Sequence, residues 1–189
     1  MSRVIGMAGF FVGLVLGAVG VQAASTDADG TYTVTVTKVE VSKDGGTTYT
    51  TLFDGSQAIN IAAVDAGAVA AGLASGAALE AGIYNTVRVT IGATLLAKGY
   101  VNSGGDTVYT NGSGSATNSG ATSTPGAGYA ASTYTIPEAN RIETTTGLSI
   151  PVEPGKGPTV TVKFDTSGVL SQISGAIIPG EPLVTISSR

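Results

Sequence analysis

Residues 31–41 read TYTVTVTKVEV, and the spacing of their apolar side chains decides the fold class. Tyr32, Val34 and Val36 alternate with Thr33, Thr35 and Thr37, so an extended chain has one apolar face and one hydroxylated face, the period-two signature of a β-strand. After Lys38 the apolar positions become Val39 and Val41. That one-residue change of phase predicts a β-bulge or a strand crossing between two sheets. Asp44-Gly45-Gly46 then supplies residues that accept positive φ, and residues 48–53 (TYTTLF) follow as a second strand, so the pair reads as a β-hairpin.

Working outward, residues 58–62 (AINIA) form a short third strand, and residues 84–96 (YNTVRVTIGATLL) a central one with Val87, Val89 and Ile91 on one face. Residues 64–82 are too rich in Ala for a strand and too rich in Gly for a strong helix, so at most a turn or two of helix is expected around 68–73. Residues 102–132 turn to Gly, Ser, Thr, Asn and Ala, with almost no aliphatic side chain except Val108. Such a segment buries little apolar surface to offset its ordering entropy. It is expected to be a long, flexible, exposed insertion, with at most a small hairpin at 107–110, and deleting Gly104 to Gly128 is expected to leave the fold intact. Strand signals resume at 132–136, 141–145, 148–152, 159–164, 169–173 and 183–186. Short strands separated by turn residues predict an all-β chain with one β-sandwich domain over residues 24–189.

Ahead of that domain, Arg3 supplies a positive start and residues 4–21 an apolar run broken by Gly6, Gly9, Gly13, Gly17 and Gly20. Val21-Gln22-Ala23 or Gln22-Ala23-Ala24 then offers the small residues that a signal peptidase needs. Residues 1–23 are therefore expected to be a cleaved secretory signal peptide. The competing reading is a membrane anchor, since about 18 apolar residues just span a bilayer, but the glycines weaken such a helix and the cleavage site follows directly. No cysteine follows the run, which excludes a lipoprotein anchor. The expected location is extracellular, cell-surface or periplasmic, with no stable membrane insertion after cleavage.

Composition narrows the chemistry. The 189 residues include no Cys, no His and no Trp, and only 12% are charged, about half of the usual quarter. Without His and Cys there is no Ser-His-Asp or Cys-His catalytic apparatus, no imidazole or thiolate zinc site and no iron–sulfur cluster. The 9 Lys+Arg against 13 Asp+Glu give a net charge of -4, the wrong sign for holding a phosphate backbone, so nucleic acid is not an expected partner.

Three stretches together resemble a family of secreted bacterial domains of unknown function with a carbohydrate-binding-like, prealbumin-like (Ig-like) β-sandwich. They are TVTVTKVEVSKDGGTTYTTLFDG at 33–55, LEAGIYNTVRVTI at 79–91 and IPEANRIETTTGLSIPVEPGKGPTVTVKFD at 136–165. The matching positions are Ala81, Gly82, Tyr84, Val87 and Arg88 at a strand entry, then Pro137, then Phe164-Asp165 at a strand end. The resemblance implies the fold and carries over no catalytic residues. The chain departs from the pattern in its missing lipoprotein cysteine and in the insertion.

Candidate sites follow from what remains. Tyr100, Tyr109, Tyr129 and Tyr134 cluster around the insertion and are candidate glycan contacts, because apolar sugar faces stack on rings. Tyr32, Val34, Val36, Val39 and Val41 are a candidate donor strand for β-strand addition, although the turn at Asp44 favours pairing within the domain. Asp27 and Asp29 before Gly30 resemble the opening of a calcium loop whose other ligands are missing, so a solvated tail is the better account. Arg88 with Glu80, and Arg141 with Glu138 and Glu143, read as ion pairs on a solvent face. Asn111-Gly112-Ser113 satisfies the N-glycosylation sequon. No catalytic, metal or cofactor site is expected, and the chain is not read as an enzyme. The expected function is an exported structural protein of the cell surface or extracellular matrix, as a filament or matrix subunit joined by strand addition, with itself or other surface proteins as partners. The alternative is a secreted carbohydrate-binding module with a polysaccharide partner.

Overall fold

The structure, a computed structural model, describes residues 3–5, 28–63, 79–114, 116–120, 122, 124–153 and 160–188. In chain order its strands are β1 (Arg3–Ile5), β2 (Thr31–Ser42), β3 (Thr50–Asn60), β4 (Gly82–Lys98), β5 (Tyr100–Ser103), β6 (Asp106–Thr110) and β7 (Ala116–Asn118). They continue with β8 (Ser132–Thr135), β9 (Ile142–Val152), β10 (Val160–Asp165), β11 (Leu170–Ile173), β12 (Ala176–Pro179) and β13 (Leu183–Ser188). The described chain is all-β, and every paired strand is antiparallel.

The alternating segment becomes the middle of the largest sheet. β2 lies between β3 and β4, and the far side of β4 carries β8 and β9 end to end. The change of phase after Lys38 is a bulge: register slips between Val36 and Lys38 against both neighbours. Tyr32, Val36 and Val39 therefore stay against one core, and Val39 and Val41 against a second. At the turn, Gly45 and Gly46 have φ of 74° and 95°, conformations a side chain would resist.

Two expected pairs of strands are single strands. The segments expected at 48–53 and 58–62 run together as β3, whose register against β2 slips twice and which gives way at Ile61–Ala63 to a 3-10 turn. Those expected at 141–145 and 148–152 run together as β9, which slips once against β4. Pairing to a long neighbour absorbs the turn-like residues Asp54-Gly55-Ser56 and Thr146-Gly147 as irregularities within a strand.

The larger correction concerns residues 102–132. They are not an exposed loop outside the fold: β5, β6 and β7 form a three-stranded sheet, with β11 against β5 and β12 against β6 and β7. Val101, Val108, Thr107 and Thr110 are fully buried, and the valines join Leu95, Ile136, Leu170 and Ile177 in the main core. The hydroxyl and amide groups that look solvent-seeking in the sequence find partners within the segment. The Thr107 hydroxyl faces Asn102 Oδ1 at 2.5 Å and the Thr122 carbonyl, and the Asn118 amide donates to Asp106. Buried polar groups with partners cost little.

Of the expected leader only Arg3–Ile5 lies within the described residues, paired with β13. The expected helical turn at 68–73 lies outside them.

Candidate functional site

β5 and β6 place Tyr100 opposite Tyr109 and Val101 opposite Val108. Alternation sends the valines into the core and the tyrosines to the other face. Residues 124–129 fold over that face. The Tyr109 hydroxyl donates to the Ala127 carbonyl at 3.1 Å. A Cβ at Gly126 would stand 3.1 Å from the Tyr109 hydroxyl oxygen, so glycine lets the loop approach. Tyr129 then meets both rings edge to face, its centroid 6.1 Å from Tyr100 and 6.0 Å from Tyr109, the arrangement that ring quadrupoles favour. Tyr109 is buried by this cover, while Tyr100 and Tyr129 are half-buried.

Lys98 and Asp29 complete the group. The Tyr129 hydroxyl donates to Asp29 Oδ2 at 2.8 Å, and Lys98 Nζ donates to the same oxygen at 3.4 Å. The Lys98 ammonium also lies 4.4 Å from the Tyr129 ring centroid. The Asp29 backbone N–H donates to the Lys98 carbonyl at 2.8 Å, so main chain and side chain both fix this residue. Burial, with Asp29 beside it, pushes the Tyr129 hydroxyl above its ordinary pKa and keeps it a neutral donor. Asp29 is thus tied to the fold, where a solvated tail was expected, and Asp27 lies outside the described residues.

Tyr134 does not join the other three. β8 carries it opposite Leu95, against the main core. Its hydroxyl is buried and makes no hydrogen bond among the described residues. Burial pushes its pKa up to about 12; Ser132 offsets part of that rise without reaching hydrogen-bond geometry.

The expected ion pairs are re-partnered. Arg88 Nε donates to Glu40 Oε2 at 2.8 Å, not to Glu80. Lys38 reaches the other Glu40 oxygen at 3.0 Å, and the Glu40 side chain is only 7% exposed, so this is no solvent-face pair. The Arg88 hydrogen bond holds the Glu40 carboxyl below the ordinary range against the opposing effect of burial, and the guanidinium lies 3.6 Å from the Tyr49 ring centroid. Glu80 pairs with Lys43, Arg141 Nε donates to the Ile136 carbonyl, and burial raises the Glu143 carboxyl. Asp44 accepts from Ser42, from the Thr48 hydroxyl and from the Thr48 N–H, and these bonds hold its pKa down.

Both edges of the candidate donor strand are taken within the same chain. Tyr32 is 1% exposed and its hydroxyl donates to the Gly180 carbonyl at 2.5 Å. Val34, Val36, Val39 and Val41 pack on the chain's own cores. β2 is therefore not a free strand to donate. The sequon is also engaged: the Asn111 amide donates to the Thr117 hydroxyl, and Asn111 Oδ1 accepts from Ser113.

Sequence reasoning missed Lys98 and Asp29 as companions of the tyrosines. Lys98, two positions before Tyr100 on the next strand, was the one local signal; Asp29 arrives from 100 positions before Tyr129. Among the described residues no group of three or more His, Cys, Asp or Glu is placed to hold a metal ion, and no helix is long and apolar enough to cross a membrane.

A family model described as a domain of unknown function (DUF4382) matches residues 21–176. No curated protein and no solved structure matches the chain.

Proposed function

We propose, for a chain that belongs to the DUF4382 family of domains of unknown function, an exported and non-catalytic role: a single prealbumin-like β-sandwich that serves as a structural or adhesive unit at the cell surface or in the extracellular matrix. The packing of β6 against β4 and of β11–β12 against β5–β7, with side chains from all of them in one core, supports the sandwich. The charge, apolar run and small residues of 1–23 support export. Leader removal takes β1 away and leaves β13 paired with β10.

The observation that carries the non-catalytic reading is how three of the perturbed polar groups are used. Glu40 is held by Arg88 and Lys38, Asp44 by its own turn, and Tyr32 by Gly180. A catalytic group is poised toward a cleft; these groups tie strands and loops together.

With β2 paired on both sides, strand addition within the large sheet falls to the outer edges of β3, β8 and β9, and leader removal opens the β13 edge as well. β3 is interrupted by two register slips, and β9 by one slip and by Pro151, which has no N–H to donate. Those interruptions favour a self-contained unit over a strand-exchanged filament.

Secretion from a host cell through the chain's own leader tests this, followed by N-terminal sequencing, light scattering and assays with ester, phosphate and glycoside substrates. A monomer that begins near Ala24 and turns over none of them is expected. SDS-resistant polymers would overturn the self-contained unit, retention with an intact leader would overturn export, and turnover would overturn the non-catalytic role.

A further inference from the structure

We propose that Tyr100, Tyr129, Lys98 and Asp29 form a binding subsite for a neutral pyranose sugar. The first ground is the corner made by two rings, in which Tyr100 offers the stacking face, because the Lys98 ammonium stands over the Tyr129 ring at 4.4 Å. Tyr100 and Tyr129 meet at 79° and both keep part of their surface exposed. A pyranose presents an apolar C–H face that an aromatic ring covers well. Tyr109, buried behind Tyr129 and anchored to Ala127, holds that ring in place before any ligand arrives. Little side-chain freedom is left to lose on binding.

The second ground is the polar pair at the rim of the corner. The Asp29 side chain is 52% exposed. Both of its bonds, from Tyr129 and from Lys98, go to Oδ2, and Oδ1 accepts from no group among the described residues. The Lys98 ammonium has three N–H donors, and Asp29 takes one. An acceptor and a donor side by side match two adjacent sugar hydroxyls, each of which both donates and accepts. The third ground is charge. Asp29 and Lys98 neutralise each other at 3.4 Å, so the corner offers no net attraction to a uronate, sulfate or phosphate, and a neutral sugar is the ligand class that fits.

Affinity electrophoresis of the secreted chain, in native gels containing a β-glucan, a galactomannan or amylose and in parallel gels containing alginate or polygalacturonate, tests the site. At least one neutral polymer is expected to retard the chain, and neither polyuronate. Tyr100→Ala removes the retardation and Tyr100→Phe keeps it. Asp29→Asn weakens it by about tenfold, the worth of one charged hydrogen bond, and Tyr134→Phe leaves it unchanged. No retardation by any neutral polymer, retardation by the polyuronates instead, or a Tyr100→Ala chain that binds like the parent would each overturn the proposal. If Tyr100→Ala melts before the parent at assay temperature, Asp29→Asn and Tyr100→Phe decide the matter. Failure here leaves the exported structural unit standing, because that role needs no saccharide; enzyme turnover or an uncleaved leader leaves this subsite standing.

Discussion

In the large sheet, β2 and β4 set Tyr32, Val36, Ile91 and Leu95 toward the core, while in the small sheet β6 buries Thr107, Val108, Tyr109 and Thr110 in succession. The first arrangement is the ordinary one, in which apolar area leaves water on one face and hydroxyls stay on the other. The second buries both faces of a strand, and half of its buried residues are polar. They are tolerated because their partners lie in the same segment or just before it: Asn102 or Thr122 for Thr107, and the Gly99 N–H for Thr110 Oγ1. A buried hydroxyl with a partner is close to neutral, whereas one without costs about 1–3 kcal/mol. Low aliphatic content therefore does not make a segment external if it carries its own acceptors and a few well-placed valines.

Removing residues 104–128 takes out β6 and β7 with the buried side chains of Val108 and Tyr109, and is expected to have the largest effect. Cooperative urea unfolding should disappear, because the loss rivals a domain's whole stability of about 5–15 kcal/mol. A deletion that unfolds at the parent's midpoint would return the small sheet to the status of a surface loop. Next comes Leu95→Ala at the heart of the large sheet, fully buried in the parent. It should lower stability by about 3 kcal/mol, the usual cost of a cavity left by a core leucine. Thr107→Val keeps the shape and removes the hydroxyl whose one proton serves Asn102 Oδ1 or the Thr122 carbonyl, both on exposed residues, so a loss of about 1 kcal/mol is expected, the net worth of one such bond. If the valine variant is as stable as the parent, the small sheet is held by packing alone and the contrast between the sheets fails.

The smallest effect is acid dependence. Asp44 and Glu40 have folded pKa values below their unfolded ones. Their stabilisation is therefore fully present above about pH 4, the unfolded carboxylate range, and is lost as pH falls through the folded values. Glu143 is raised by burial, so it opposes them: protonation on acidification relieves its burial cost. The urea midpoint should fall below about pH 4, and Asp44→Asn should flatten that fall. An equally steep fall in the variant would remove Asp44 from the account.

Residues two to four positions apart made much of the large sheet legible. The Tyr32-Val34-Val36 alternation, the slip before Val39 and the Asp44-Gly45-Gly46 turn all express local geometry, and each appears where the pattern places it. The joined strands β3 and β9 were not legible, since Asp54-Gly55-Ser56 and Thr146-Gly147 read as turns until a long partner strand holds them extended. The small sheet was hidden by its composition. Of the aromatic corner, Tyr100, Tyr109 and Tyr129 were visible as a cluster along the chain; Asp29 was visible only as half of a calcium-like pair.

By itself the amino-acid order determined that this is an all-β chain with a leader-like start and no His or Cys chemistry, because periodicity and side-chain inventory do not depend on how distant segments meet. The tertiary structure alone decided that β2 is an interior strand, that Arg88 holds Glu40, and that Asp29 joins Lys98 and Tyr129. Those contacts span 48, 69 and 100 positions. At such separations local pattern carries no information about which partner is chosen; the choice is made when the core closes and each buried polar group takes a partner within reach.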